Sequence, residues 1–318
     1  MERRQTRAGR LPAGWWFPRP IGRVSPSMTT AARTDTLLTP DDLVARIASC
    51  LPAAVVEPIR RRVQAMVPPG AVKDALSGTA LGHTLHPMLT DLPIGCWTSA
   101  MALDLFGGRA ARPAAQRLIG LGLLSALPTA ATGASDWSDT EGRTARVGAA
   151  HAVSNTVAFA CYGASWMARR RGHHYRGVAL GLLGAGAATV GGYLGGHLVN
   201  VLGVGVDETA FSRGADDWVP VASDAIVTDD FTRARVGETA VMVRRDEDHL
   251  VCLGARCPHR GAPMEAGPRA DGAVTCPWHG SRFSLRDGAL LRGPATTPLP
   301  MFECRVVADV VEVRGRVT

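Results

Sequence analysis

Two short motifs constrain this chain more than any other feature: Cys257-Pro258-His259 and, after sixteen intervening residues, Cys276-Pro277-Trp278-His279. Each supplies one soft thiolate and one imidazole, so a fold that uses them must bring two loops face to face. The spacings C-x-H and C-x-x-H suit a [2Fe-2S] centre in which two cysteines hold the inner iron and two histidines the outer, reducible one. Gly261 and Gly280 each follow their cysteine by four residues, where a tight loop favours a residue without Cβ. A Cys2His2 zinc site draws on the same residue types, but it usually pairs like with like in each motif. Four unrelated core residues is the third reading, and the matched proline and glycine neighbours argue against it.

At these residues the chain resembles the Rieske family. Gly280-Ser281-Arg282-Phe283 is similar to that family's serine-plus-aromatic segment, and Gly293-Pro294-Ala295 with Pro298-Leu299 resembles its proline loop beside the cluster. The resemblance implies that Cys257 and Cys276 bind one iron and His259 and His279 the other. It also implies a departure from respiratory-type members, whose extra disulfide cysteines are replaced here by Ala262 and Trp278. The tyrosine that donates to a ligand sulfur is replaced by Phe283. Fewer hydrogen bonds to sulfur favour a lower potential, so a ferredoxin-type domain is expected.

The chain has 318 residues, enough for two domains. Its formal charge of +7 sits in the first two-thirds, and the part after about Val206 is slightly acidic. The basic balance therefore does not mark the cluster domain as a nucleic-acid binder, and no nucleic-acid partner is expected. The seven scattered cysteines do not form a disulfide framework. Residues 1–39 carry seven arginines, six of them before residue 28 among Gly and Pro, without an apolar segment, so a disordered tail is expected, neither a Sec nor a twin-arginine signal. Met28 is a second possible start. Residues 40–75 read as an amphipathic helical segment, opened by Thr39-Pro40-Asp41-Asp42 with Leu43, Ile47, Leu51 and Val55 on one face. Arg60-Arg61-Arg62 within it is a solvated charge run or a contact for anionic headgroups.

Four apolar segments follow, near 88–107, 115–134, 147–168 and 177–204. At about 1.5 Å rise per residue, about twenty residues span a hydrocarbon core of about 30 Å. The last carries Gly184, Ala188, Gly192 and Gly196 at four-residue spacing, with Gly191 and Gly195 alongside, a stripe that lets helices approach closely in lipid. Four transmembrane helices over 76–206 are expected, in contact with the lipid bilayer. Helices crossing alternately would place His86, Asp91, Asp136, His151 and His197 toward the end from which the cluster segment leaves. Ionisable residues in a membrane point to function. These residues admit a haem b or metal site using two of the histidines, a quinone pocket, or a hydrogen-bonded network that fixes the bundle. The same stretch resembles an uncharacterised family of four-helix membrane domains. The residues that carry this are Leu81 to Pro87, Asp91 to Gly95, Gly133 to Trp137, His151 with Asn155, and Gly191 to Leu198. That resemblance implies a membrane domain sometimes joined to a Rieske module.

Arginines crowd the two loops at the opposite end: Arg109, Arg112 and Arg117, then Arg169, Arg170, Arg171 and Arg176. The positive-inside bias puts that end in the cytoplasm and the cluster domain outside. The arginine-rich tail and the missing disulfide argue for the reverse, and the balance falls slightly toward an extracytoplasmic cluster domain. Residues 207–217 read as a linker, and short strands with turn signals over 218–318 indicate a small antiparallel all-β domain.

The fold class expected is thus a multi-domain, multi-pass protein of the cell membrane, a four-transmembrane-helix bundle plus a Rieske-type all-β domain. Its expected role is a one-electron carrier that exchanges electrons with a redox partner protein at an exposed histidine edge. The alternative is an integral redox enzyme using quinol or a bundle haem. A self-contained oxygenase would need a 2-His-1-carboxylate iron site, and no histidine follows His279.

Overall fold

The computed structural model describes residues 39–246 and 249–317. Apart from Thr39, the expected disordered tail lies outside the described residues. The chain divides into two compact units, up to Asp42 and from Leu43 onward. In the first, Thr39 and Asp42 cap each other. The Asp42 N–H donates to Thr39 Oγ1 at 3.2 Å, and the Thr39 N–H and hydroxyl donate to Asp42 Oδ2 at 3.0 and 2.7 Å. This reciprocal bonding, followed by Pro40 in the first turn, starts a helix.

The single amphipathic segment expected at 40–75 is instead three helices: α1 (Pro40–Ser49), α2 (Ala53–Met66) and α3 (Ala71–Ser77). Pro52, Pro68 and Pro69 interrupt it, because proline lacks the N–H of the helical ladder and disfavours helix in the residue before it. The expected apolar face is half present: Ile47 and Leu51 pack on the core, whose fully buried members are their neighbours Val44 and Ala48. Val44 and Ala48 pack against Val147, Ala150, Leu194 and Leu198, whereas Leu43 and Val55 are exposed. The arginine run is also divided. Arg60 is buried, donating to Glu57 and to the Ser138 carbonyl at 2.6 Å, while Arg61 pairs with Glu57. It therefore does not act as one solvated or headgroup-binding run.

The four apolar segments are helices α4 (Leu85–Phe106), α5 (Arg112–Ser138), α6 (Gly142–Arg170) and α7 (His174–Asn200). α4 pairs with α5 and α6 with α7, and contacts between α5 and α6 and between α4 and α7 close the ring. Two stretches, Arg109–Ser138 and His174–Asn200, are long and apolar enough to cross a membrane. Along the bundle core Trp97 stacks on Tyr162, with ring centroids 4.2 Å apart and planes 15° apart. Asp104 accepts two hydrogen bonds from Arg169, at 2.8 and 2.5 Å. Glycines make this approach possible. The indole of Trp97 lies against Gly122, and a Cβ on Gly184 would come within 3.1 Å of the Tyr162 ring. The contact face of α7 is thus Gly184, Gly191 and Gly195. Gly192 meets nothing and Gly196 only Asn200, so the expected four-residue stripe is not the packed one.

The C-terminal part is an antiparallel all-β domain. One six-stranded sheet has the order β1-β10-β9-β4-β3-β2, from Val219–Ser223 (β1), Thr232–Val236 (β2), Thr239–Asp246 (β3), His249–Gly254 (β4), Met301–Val307 (β9) and Val310–Arg316 (β10). A second sheet runs β5-β6-β7-β8, from Arg269–Ala270, Ala273–Thr275, Arg282–Ser284 and Leu290–Arg292. Because strand side chains alternate between faces, the central strands feed two cores. Met242, Val251 and Leu253 pack with Phe283, Met264 and Leu299 toward the small sheet. Val241, Val243 and Cys252 pack with Phe302, Val311 and Val313 on the other face. β4 thus delivers its end, with the first cysteine, into the core between the sheets.

The expected linker is no free tether. The Glu208 N–H donates to the Pro258 carbonyl at 2.9 Å, Asp207 accepts from Thr297 Oγ1 at 3.1 Å, and Thr209 is buried.

Candidate metal centre

Two loops built alike converge at the edge of the small sheet. In the first, the Cys257 N–H donates to the Ala262 carbonyl at 2.9 Å and the Gly261 N–H to the Cys257 carbonyl at 2.8 Å. In the second, the Cys276 N–H donates to the Ser281 carbonyl at 2.7 Å and the Gly280 N–H to the Cys276 carbonyl at 3.1 Å. Each turn closes through a glycine in the left-handed region, Gly261 at φ +71° and Gly280 at φ +77°, where a Cβ is disfavoured. A third loop is tied to the second, because the Ala295 N–H donates to the buried hydroxyl of Ser281 at 2.9 Å. Ser281→Ala leaves that N–H buried and unpaired, which costs about 1–3 kcal/mol. A lowered thermal unfolding midpoint is the expected reading.

The loops bring together all four residues expected from the sequence. Cys257 and Cys276 are buried with their thiols within hydrogen-bonding reach of each other. The His259 and His279 rings meet edge to face with centroids 5.0 Å apart. The Nδ1 atoms of both histidines are buried with no hydrogen-bond partner. Two orphaned imidazole nitrogens beside two adjacent thiols form a donor set suited to a metal centre, since buried polar atoms are otherwise paired. The donors stand as two pairs: among the described residues no three His, Cys, Asp or Glu side chains converge on a single ion. A thiol pair and an imidazole pair are the donor set that a two-iron cluster with mixed ligands uses.

Ligation needs thiolate and neutral imidazole, and the electrostatics favour that state at three of the four residues. The Cys257 thiol donating to Cys276, together with the N–H groups of His279, Trp278 and Gly280, brings Cys276 down to about 6. The same contact and burial push Cys257 up. Burial, then His279, Lys73 and Arg260, holds His259 well below its usual value, and burial lowers His279 as well, so both rings stay neutral.

The expected exposed histidine edge is only half present. His259 keeps 14% of its side-chain exposure, and its Nε2 stands 3.6 Å from Asp139 Oδ2 at the end of α5. Asp139 in turn pairs with buried Lys73 of α3 at 2.8 Å, and Lys73 also donates to the Ser135 carbonyl at 2.7 Å. Around this seat Thr79 Oγ1 donates to the Ala295 carbonyl at 3.2 Å, and Pro69 packs on Gly280. His279 remains partly exposed beside Trp278, which is 56% exposed. Sequence reasoning missed Lys73 and Asp139, although one signal was available: Lys73 is the chain's single lysine.

Of the bundle residues singled out, the structure brings together His86 and His151, with ring centroids 6.2 Å apart. Their hydrogen bonds go to backbone carbonyls and to Thr132 and Asn155, not to Asp91 or Asp136. Asp91 is exposed and Asp136 half-buried. His197 is buried, but it follows by two positions the Gly195 that faces His151. At about 100° per residue it lies on another face of α7, so the expected gathering of three histidines reduces to two.

Residues 217–303 match the family model described as Rieske [2Fe-2S] domain, and residues 82–208 match the one described as Predicted membrane protein (DUF2231). The anthranilate 1,2-dioxygenase ferredoxin subunit of Burkholderia cepacia is 34% identical over 98 residues, 30% of this chain and 91% of the relative. Apoptosis-inducing factor 3 of Mus musculus is 34% identical over 80 residues, 25% of this chain, and the chain spans only 13% of that protein's length. Among solved structures, the ferredoxin of carbazole 1,9a-dioxygenase from Nocardioides aromaticivorans IC177 is 27% identical, with a TM-score of 0.29. That match covers 31% of this chain and 98% of that one.

Proposed function

Because the chain belongs to the Rieske [2Fe-2S] family through residues 217–303 and carries a DUF2231 domain at 82–208, we propose that it is a membrane-anchored one-electron carrier. Cys257 and Cys276 would hold the cluster through sulfur, and His259 and His279 through Nδ1, the nitrogens left without a partner. The observation that carries this reading is the pair of buried, unpartnered Nδ1 atoms beside two adjacent thiols. The cluster, when bound, supplies reversible one-electron chemistry and nothing more. The protein's own residues do the rest. The N–H groups around Cys276 offset negative charge on its sulfur. Met264, Phe283, Ala295 and Leu299 keep water from the inner side.

With His259 seated against Asp139, His279 and the exposed Trp278 form the edge at which a redox partner meets the centre. The similarity to a ferredoxin subunit of a dioxygenase supports a protein partner of the oxygenase or reductase class. The four long helices cross the membrane, with Arg109, Arg112 and Arg117 at the end away from the cluster domain on the cytoplasmic side. Arg169 takes no part in that bias, being buried against Asp104.

Two measurements on detergent-purified, iron-replete protein test the proposal. Dithionite should produce the EPR signal of a half-reduced mixed-ligand cluster, and the membrane fraction should retain the chain through alkaline carbonate extraction. A reduced, iron-loaded sample without that signal rules out the carrier, and release by carbonate rules out the anchor.

A further inference from the structure

The bundle repeats itself. Three side-chain pairs meet across its core, His86 with His151, Trp97 with Tyr162 and Asp104 with Arg169, and the two members of every pair are 65 residues apart. Cys96 and Cys161 share that offset. The residues that receive them on the partner helices are likewise paired, now 62 apart: Gly122 with Gly184, Thr129 with Gly191, and Gly133 with Gly195. The hairpin α4–α5 is therefore duplicated as α6–α7, with three residues' difference in the connecting loop. The three cross-core pairs lie in sequence along one pseudo-two-fold axis.

The histidine pair is held in the same way twice. His86 Nδ1 bonds to the Thr129 carbonyl at 2.9 Å, and His151 Nδ1 to the Gly191 carbonyl at 2.8 Å. Four residues after each carbonyl is a glycine against the ring. A Cβ at Gly133 would stand 2.6 Å from His86 Cε1, and one at Gly195 would stand 3.1 Å from His151 Cε1. A carbonyl only accepts, so in both rings Nδ1 carries the proton and Nε2 keeps its lone pair. The Asn155 amide nitrogen stands 3.3 Å from both ring nitrogens of His151. A backbone carbonyl fixing Nδ1–H is the usual support of a metal-ligating histidine.

We propose that His86 and His151 bind a haem on this axis, their Nε2 atoms serving as its two axial ligands. Ring centroids 6.2 Å apart match one metal atom between two imidazoles. That arrangement needs about 2.0–2.1 Å per metal–nitrogen bond, plus about 1.1 Å from each nitrogen to its ring centre. A quinone does not fit there, because two hydrogen bonds of about 2.8 Å at either end of the ring would need well over 6 Å between the nitrogens. A bare zinc ion does not fit either, since it calls for three or four protein ligands. Among the described residues no third His, Cys, Asp or Glu joins the pair, and a porphyrin brings its own four nitrogens. Gly133, under His86, precedes Asp139, under His259, by six residues, a rise of about 9 Å along α5. A haem held there would sit on the cluster's side of the bundle and could take one electron from the reduced cluster, ferric iron becoming ferrous with no atom or proton transferred.

The test is spectroscopic and independent of the cluster. Full-length protein in detergent is titrated with hemin, and bound haem is quantified as the pyridine haemochrome. The expected result is one haem per chain with a low-spin, bis-imidazole spectrum in both redox states. The same spectrum is expected in Cys276→Ala, so loss of the cluster and loss of the haem are separable. His151→Gly should turn high-spin and return to low-spin on adding free imidazole, a rescue that a merely structural histidine would not show. His197→Ala should bind as the wild type. The proposal is overturned if wild-type protein takes up no low-spin haem, or if the His86→Ala/His151→Ala double variant keeps the low-spin spectrum.

Discussion

The His279→Cys substitution should lower the midpoint potential of the centre by at least roughly 125 mV, half of the gap between mixed and all-thiolate centres, while leaving its iron content near that of the wild type. Mixed histidine–cysteine centres titrate at about −150 to +300 mV and all-thiolate [2Fe-2S] centres near about −400 mV. Each thiolate that replaces a neutral imidazole adds negative charge at the reducible iron. The substitution is chosen at 279 because that ring is partly exposed and lies beside Trp278, with a longer motif and a looser surround than His259. A spectroelectrochemical titration of the purified variant reads the shift directly. A cluster retained at the wild-type potential would show that His279 is no ligand. Cys276→Ala serves as the companion, since it removes a buried sulfur that accepts several N–H groups. Its iron and acid-labile sulfide should both be lost, with the bundle helices intact by circular dichroism.

The cluster residues were legible in the sequence because the chemistry is local. Each loop is six residues closed by its own hydrogen bonds, so the ligand spacing survives whatever scaffold surrounds it. The bundle helices were legible from apolar runs about as long as the helices themselves. What the sequence hid has one physical character, dependence on long-range placement. β2 reads Thr-Arg-Ala-Arg-Val and looks polar, but as an edge strand only Val236 is fully buried. The α1 face was legible only through Ile47 and Leu51, because a ten-residue helix offers too few apolar residues to fix its rotation, and its contacts come from residues about 100 to 150 positions away. The internal repeat shares few identities, and its partners emerge only when ring contacts and glycine cradles fall at the same offsets. The seat of His259 was the largest miss. A lone lysine at 73 and an aspartate at 139 carry no local pattern that joins them to residue 259.

That seat predicts a pair of opposite shifts. The negative charge of Asp139 opposes adding an electron to a cluster ligated by His259, and the positive charge of Lys73, 2.8 Å from it, favours it. At an effective dielectric of about 20, a unit charge roughly 10 Å away contributes about 1.7 kcal/mol, or about 70 mV at about 59 mV per tenfold change for one electron. Asp139→Asn should therefore raise the midpoint potential by tens of millivolts, and Lys73→Met should lower it by a similar amount. The double variant should return near the wild type because it removes both charges. Stability must move differently from potential. Either single change leaves one buried charge uncompensated, at a cost of about 3–5 kcal/mol, whereas removing both partners is close to neutral. Two singles that shift the potential in the same direction would mean that packing, not charge, couples the helices to the cluster. Opposite shifts that cancel in the double would establish that this ion pair sets the potential through His259, and that the helical domain tunes the centre it carries.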